Sequence, residues 1–318
     1  MIKRSLLVAS AGGHLDELLL LLPRLDLPDR TWVTYPVPQA ERLLHGEEVH
    51  NAYHPTTKNL PNAVRNYRLA RRVLASGRFD RIVTTGAAVC VPFLLRARQL
   101  GIPCHYIESA TRVTGPSLSG RLVAPLSNVT CYRQLGDWGA PRWQAGPSVY
   151  DGFRASTDTT SPSIGRVVVS LGTHDFGFDA LIVAVERLLD SLPGPTPEVL
   201  WQLGATPEPE GLIGRAVDRL PPGELKEAIA DADVVIGHAG VGLTLMALTA
   251  GRVPLLVPRR RARREHTDDH QVQLAHELDR RRLAVHAEVG ELSRGHLERA
   301  AALRVDEVDP GPFRLADT

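Results

Sequence analysis

Short apolar runs alternate with amphipathic stretches along nearly the whole chain, the pattern of parallel α/β sheets whose strands are buried on both faces. In the first half the runs predict strands near Ser5–Ser10, Thr31–Tyr35, Arg81–Thr85, His105–Ile107 and Val129–Tyr132, and helices over Leu15–Leu22, Pro61–Ala75, Val89–Leu100 and Ser117–Ala124. From Gly146 to Gly165 the chain is rich in Gly, Pro, Ser, Thr and Asp and has no apolar period, which predicts a linker over 151–165. The alternation restarts at Arg166–Ser170. Further strands are expected at Val199–Leu203, Val234–Ile236, Val253–Val257 and Leu283–Val285, and helices over Asp179–Leu192, Glu224–Ala230, Gly242–Ala250, Thr267–Arg280 and Gly290–Leu303. A length of 318 residues exceeds one typical core. Two Rossmann-like α/β domains are therefore expected, over 1–150 and 166–304, with a tail over 305–318 and a ligand cleft between the halves.

Each half carries a glycine-rich turn at a strand end. Ser10-Ala11-Gly12-Gly13-His14 follows Leu6-Leu7-Val8-Ala9, and Gly237-His238-Ala239-Gly240-Val241-Gly242 follows Ala232-Asp233-Val234-Val235-Ile236. Glycine lets the backbone approach a ligand closely, and the following helix offers free N–H groups and a positive dipole end, which suits a diphosphate. Neither turn reads GxGxxG with an acidic residue about 20 positions later, which argues against a dinucleotide dehydrogenase. Lys+Arg 37 against Asp+Glu 36 removes the electrostatic case for a nucleic-acid partner. Cys90, Cys104 and Cys131 lack metal-ligand spacing and read as buried free thiols of a reducing cytosol. The chain enters its first strand without a signal-peptide pattern, and Leu18–Leu22 is far short of the about 20 residues that span a bilayer. A soluble or peripheral cytoplasmic protein is expected. His14, at the mouth of the first turn, is either a general base for an acceptor hydroxyl or a cap on the helix that follows.

Longer stretches carry a family resemblance. SAGGHLDELLLLL, TTGAAVCVPFLLRARQLGIP and YIESATRVTGPSLSGRLVAPLSN resemble the acceptor-binding, membrane-anchoring subunit of the dolichol-pathway UDP-N-acetylglucosamine transferase. VVVSLGTHDFGFDALI, ADVVIGHAGVGLTLMALTAGRVPLLVPR and DDHQVQLAHEL resemble its catalytic partner. Bacterial exopolysaccharide transferases and the lipid II-forming enzyme look like relatives. The resemblance implies a GT-B fold of two Rossmann-like domains and an inverting, metal-independent transferase with a UDP-sugar as co-substrate and no other cofactor. It implies a polyprenyl-diphosphate-linked sugar as acceptor, with a membrane surface as partner. A soluble small-molecule acceptor is the alternative. A 2-epimerase and a non-catalytic nucleotide-sugar-binding scaffold are the readings from other classes.

Under this resemblance the backbone at Gly172-Thr173 and Gly240-Val241-Gly242 takes up the charge of leaving UDP. His238 faces the diphosphate or uracil, or is a turn residue. Asp269 and Gln271 contact the donor sugar, whereas Asp268 caps a helix. Relatives carry Glu in HAGxGSxxEAL to hold the ribose hydroxyls, but this chain has Met246 there, a thioether that cannot replace a carboxylate. Thr244 or Glu265 is then the substitute. In the first half, Gly12, Gly13, Ser109 and Arg112 are expected to bind the acceptor, and Glu108 to act as second base or to orient it. A local Glu108–Arg112 ion pair is the plainer reading. Arg259, Arg260, Arg261, Arg263 and Arg264 either grip a diphosphate or anionic lipid or form a solvated run. Pro61–Ala75 is expected to turn Val64, Tyr67 and Val73 to one side and Arg65, Arg68, Arg71 and Arg72 to the other, a face that fits either a membrane interface or water.

Overall fold

Within each of two sheets the apolar runs become strands that lie side by side and parallel. A computed structural model describes residues 3–56, 59–75, 79–157, 164–172, 176–266 and 268–316, and divides the chain into two units, 1–149 with 310–318 and 150–309. The first unit runs β1 (Ser5–Val8), α1 (Gly13–Leu25), β2 (Arg30–Thr34), α2 (Pro38–Leu43), β3 (Val49–Asn51), α3 (Leu60–Leu74), β4 (Arg81–Thr84), α4 (Cys90–Leu100), β5 (Cys104–Ile107), α5 (Leu118–Val123), β6 (Val129–Arg133) and β7 (Trp143–Ala145). Its sheet has the order β3-β2-β1-β4-β5-β6-β7 with every pair parallel. All four residues of β1 are buried, and Leu7 pairs with Trp32 on one side and Val83 on the other. The core beside the sheet gathers Leu6, Val8, Ile82, Phe93 and Tyr106 with all three cysteines.

The second unit runs β8 (Phe153–Thr157), β9 (Arg166–Ser170), α6 (Asp179–Asp190), β10 (Glu198–Gln202), β11 (Arg215–Val217), α7 (Pro222–Asp231), β12 (Val234–Gly237), α8 (Val241–Thr249), β13 (Leu255–Leu256), α9 (His270–Arg280), β14 (Val285–His286), α10 (Arg294–Ala302) and β15 (Leu303–Glu307). Its sheet, β11-β10-β9-β12-β13-β14, is again wholly parallel. In both sheets the strand order reverses beside the unit's first parallel strand, between β1 and β4 and between β9 and β12. Such a reversal opens a crevice at the carboxyl ends of the two strands.

Three expectations are corrected. The segment read as a linker over 151–165 contains β8, which pairs antiparallel with β15, Leu303 opposite Thr157 and Glu307 opposite Phe153; residues 158–163 lie outside the described ones. β8 is only half-buried, so it lacks the apolar run that would reveal it. The tail read over 305–318 likewise begins inside β15, and its later residues are tied down in the first unit. The Phe313 N–H donates to the Arg24 carbonyl (2.8 Å), Arg24 Nε donates to the Gly311 carbonyl (3.1 Å), and the Ala316 N–H donates to the Tyr132 hydroxyl (2.9 Å). The expected face of α3 is also shifted. Asn62, Asn66, Leu69 and Val73 point inward, while Val64 turns outward beside Arg65 and Arg68.

Cys90, Cys104 and Cys131 are free and fully buried, and burial pushes Cys90 up to about 12 and Cys131 up to about 11. A thiol reacts as its thiolate. Native protein at neutral pH is therefore expected to give no rapid reaction with a disulfide reagent, and three equivalents only at the rate of global unfolding. Fast native labelling of any one of the three contradicts this packing.

Candidate functional site

The first crevice is built by the loops that follow β1 and β4. Gly12, immediately before α1, has φ 85° and ψ −146°, a conformation that only glycine takes up freely. No side chain caps α1, so the amides of its first turn have no intrahelical partner. A Cβ on Gly12 or Gly13 would meet nothing within 4 Å, so there is space above the turn.

His14 stands in that first turn. Its Nδ1 is 2.9 Å from the Thr85 carbonyl. A carbonyl only accepts, so Nδ1 carries the proton and Nε2 keeps its lone pair. The Thr85 hydroxyl returns a 2.6 Å bond to the His14 carbonyl, locking the ring to the loop after β4. Burial lowers the His14 pKa from 6.5, against the opposing pull of the Thr85 carbonyl and the Glu108 charge. The ring is thus neutral near pH 7. It lines a cavity of about 630 Å³ together with Ser10, Tyr35, His54, Thr56, Arg112 and Leu118.

Glu108 reaches this wall but is not free to act as a base. Its Oε2 accepts from the Ser117 N–H (2.9 Å) and hydroxyl (3.1 Å), and its Oε1 from the Ser109 N–H (3.2 Å) and the Tyr106 hydroxyl (3.4 Å). The side chain is fully buried, and desolvation raises its pKa while the Ser117 bonds oppose the rise. Glu108 therefore holds the 115–117 turn at the head of α5, and a side chain at Gly120 would collide with its carboxylate. Ser109 is likewise engaged, its hydroxyl donating to Glu17 Oε1 at 2.8 Å. Arg112 remains on the cavity wall.

In the second unit the crevice lies between the loops after β9 and β12. Gly172 has φ 86°, and a Cβ there would fall 2.5–3.0 Å from three atoms of the His238 ring. A Cβ on Gly240 would collide with the same ring. The imidazole is wedged between the two glycine turns, so packing against His238 requires both glycines whatever the ligand. Thr173 lies outside the described residues. The Gly240 N–H donates to the His238 carbonyl at 2.8 Å and is thereby spent. The amides of Val241 and Gly242 open α8 without a side-chain cap, and Gly242 has open space on its Cβ side.

Other donor-side assignments change for reasons of burial. Thr244 is fully buried and its hydroxyl donates to the Gly240 carbonyl (2.8 Å), so it serves its own helix. Glu265 accepts from the Arg260 N–H (2.9 Å) and is 6% exposed. Neither is a ready substitute for the carboxylate missing at Met246, which packs against an apolar cluster that includes Leu225, Ile229 and Ala247. Gln271 is 4% exposed with Oε1 accepting from the Arg259 N–H (3.1 Å), while Asp269 is exposed and accepts from the Arg261 N–H (3.0 Å).

The arginine run divides as well. Arg259 is 1% exposed. It stacks on Phe178 (4.8 Å), and its guanidinium donates to the carbonyls of Leu171 (2.6 Å), Phe176 (2.8 Å), Gly177 (2.8 Å) and Glu265 (3.2 Å). It binds the loop after β9 to the loop before α9. Arg260 pairs with Glu288 through two bonds of 2.6 and 3.1 Å. Only Arg261, Arg263 and Arg264 are exposed.

Sequence reasoning passed over Glu17, Thr85, Gln134 and the structural role of Arg259. Glu17 had one usable signal, a carboxylate one helical turn beyond His14 inside a run of leucines. His266, Asp268 and His270 also come together, with ligand atoms within 4.8 Å of one another. Their contacts are those of a helix-opening turn: the Asp268 carboxylate accepts from the His270 ring and N–H, and the Asp268 N–H donates to His266 Nδ1 (3.3 Å).

Comparison with known proteins gives this geometry a context. Residues 222–293 match the glycosyltransferase family 28 C-terminal domain. Over 232 residues, 68% of this chain, the sequence is 32% identical to the UDP-N-acetylglucosamine--N-acetylmuramyl-(pentapeptide) pyrophosphoryl-undecaprenol N-acetylglucosamine transferase of Idiomarina loihiensis, and the match spans 61% of that protein's length. The fold is similar to that of Acinetobacter baumannii MurG, with TM-score 0.62, 17% identity and coverage of 93% of this chain and 89% of that one. It is similar also to the glycotransferase of kitacinnamycin, with TM-score 0.63, 17% identity and coverage of 94% and 89%. The fold is GT-B, two Rossmann-like units with parallel sheets.

The His238 wedge makes a distinct thermodynamic forecast. Gly240→Ala is expected to cost about 1–3 kcal/mol in wild type but under about 1 kcal/mol in a His238→Ala background. Urea unfolding of the four proteins measures the coupling, and strictly additive costs would show that the ring is not the obstacle.

Proposed function

We propose that this chain, with its family 28 C-terminal segment on a GT-B frame, is an inverting, metal-independent glycosyltransferase that moves a sugar from a UDP donor to a polyprenyl-diphosphate-linked sugar acceptor. The single observation that carries the reading is His14: a neutral imidazole whose Nδ1–H is committed to the Thr85 carbonyl (2.9 Å), leaving Nε2 basic in a cavity at the reversal of a parallel sheet.

In the reaction, Nε2 of His14 takes the proton of the acceptor hydroxyl as that oxygen bonds to the anomeric carbon of the donor. The bond from that carbon to the diphosphate oxygen breaks, UDP leaves with the electron pair, and configuration inverts. The uncapped amides of Val241 and Gly242, with the dipole of α8 behind them, take up the growing diphosphate charge. That turn lies within the segment that matches the family 28 domain, which supports donor binding by the second unit. The resemblance of the two halves to the two-subunit dolichol-pathway enzyme implies the same division of labour. The name of the Idiomarina relative supports N-acetylglucosamine as the sugar and a lipid-linked acceptor. Glu108, with both oxygens occupied, shapes the acceptor wall through Ser117 and Ser109.

The character of the first unit's surface supports the lipid. Leu118, on the cavity wall, is 75% exposed, and Leu60 at the head of α3 is exposed to the same degree, with Val64, Arg65 and Arg68 exposed along that helix. Apolar side chains beside cations suit an anionic membrane surface. Among the described residues no helix is long and apolar enough to cross a membrane, and we assign peripheral attachment at the cytoplasmic face.

Acceptor-dependent release of UDP from UDP-N-acetylglucosamine tests the reading, and donor binding without release for any lipid-linked or soluble acceptor overturns it. His14→Ala is expected to lower kcat by about 10²- to 10⁴-fold, with little change in donor affinity. Because the base works neutral and its pKa is lowered, kcat at saturating acceptor is expected to hold steady near pH 7 and to fall only below pH 6.5, the ordinary histidine value.

A further inference from the structure

Glu17 has no part in the chemistry above, yet its carboxylate is buried and held by three donors. It lies on α1 one turn beyond His14 and is 2% exposed. Its Oε1 accepts from the Ser109 hydroxyl at 2.8 Å. Its Oε2 accepts from the Ala110 N–H at 3.0 Å and from Gln134 Nε2 at 2.8 Å. Gln134, just past β6, also donates to the Glu108 carbonyl (3.0 Å), and its own Oε1 accepts from the Val149 N–H (3.0 Å). Three separate pieces of chain therefore converge on one carboxylate: the helix that carries His14, the 108–112 loop that lines the cavity, and the end of β6.

We propose that Glu17 is a positioning residue that sets the 108–112 loop against the His14 helix and thereby determines acceptor affinity. The proposal rests on reading that cavity as the acceptor site. It differs from the roles of His14 and Glu108, because Glu17 is too deeply buried to meet a substrate and acts only through Ser109, Ala110 and Gln134. An apolar residue of similar size would fill the space but leave the Ala110 N–H and the Gln134 amide without their acceptor, and such buried donors are costly to abandon. Glutamine, by contrast, can keep its oxygen at the Oε2 position and let Ser109 accept in place of donating.

Burial is the chief reason that the Glu17 pKa rises to about 7, with the nearby Asp16 charge adding to it and the three hydrogen bonds opposing it. The titratable and charged groups on the elements around it are Asp16 and His14 on α1, Glu108 and Arg112 on the facing loop, and Arg133 at the end of β6. A protonated carboxyl turns one acceptor oxygen into a donor, and with the proton on Oε1 it reproduces the glutamine arrangement, Ser109 accepting while Oε2 still meets the Ala110 N–H and Gln134. Acceptor KM is accordingly tied to Glu17, and kcat to His14.

The test compares wild type, Glu17→Gln and Glu17→Leu by two readouts. The first is amide hydrogen exchange at Ala110 and Thr111 without ligand. The second is steady-state kinetics with UDP-N-acetylglucosamine and a polyprenyl-diphosphate-linked sugar from about pH 5.5 to about 9. Glu17→Leu is expected to exchange at these amides about tenfold faster and to raise acceptor KM about tenfold, with donor KM and the circular dichroism spectrum unchanged. Glu17→Gln, which presents the same hydrogen-bond pattern as the protonated carboxyl, is expected to keep the acceptor KM of wild type across this range. Unchanged exchange in Glu17→Leu, or a loss that falls on kcat and donor KM with acceptor KM intact, overturns the proposal. If wild type shows no acceptor-dependent turnover, the functional reading fails, and the exchange rates still decide whether Glu17 positions the loop.

Discussion

The interior of each unit is governed by one constraint of parallel sheets. A crossover between parallel strands is right-handed, so a sheet that grows outward in both directions from its first strand places helices on opposite faces. No helix then covers the carboxyl ends of the two strands at the reversal. Here those strands are β1 and β4 in one unit and β9 and β12 in the other. The loops that leave them lead to His14 and hold Thr85 in the first case, and hold Gly172, His238 and Gly240 in the second. A side-chain contact ties the paired loops together at each crevice: His14 against the Thr85 carbonyl, and the His238 ring against both glycine turns.

Buried charge holds these loops in place. Glu17, Glu108 and Arg259 are each at most 2% exposed. A charge removed from water without partners costs several kcal/mol, so each of these must be met by several complementary groups or be lost from the native state. Glu17 gathers three donors, Glu108 four, and Arg259 four carbonyls. The four partners of Arg259 are all backbone carbonyls, whereas Glu17 and Glu108 are met by backbone N–H groups and side chains together. The loops that shape the two crevices are thus set from inside the protein before any ligand arrives, the preorganisation that electrostatic catalysis needs.

Much of this architecture was legible in the chain itself, and what was missed has a common cause. Strands such as β1, β4, β9 and β12 are buried on both faces and therefore read as unbroken apolar runs. β3 and β11 lie at sheet edges with mostly half-buried or exposed residues, and β8 pairs with a strand from the other end of its unit; none has a run or period to betray it. The site residues follow the same rule. The position of His14 just past a strand end was legible because its turn chemistry is local. Glu108 and Thr244 were assigned to ligands because their residue types can bind them, yet each is engaged by neighbours in the folded interior. Arg259 looked like its four companions in the arginine run, and only its burial separates it from Arg261, Arg263 and Arg264.

The sequence by itself therefore determined the two-unit parallel α/β frame, the positions of the glycine turns and the presence of a histidine at each. These depend on hydrophobic period and backbone freedom, both of which act over a few neighbouring residues. The tertiary structure alone decided which polar side chains face a cavity and which are consumed in holding it open. That choice depends on partners distant in the chain, as in Glu17 with Gln134 and Arg259 with Leu171, and on the cost of leaving any buried polar group without one.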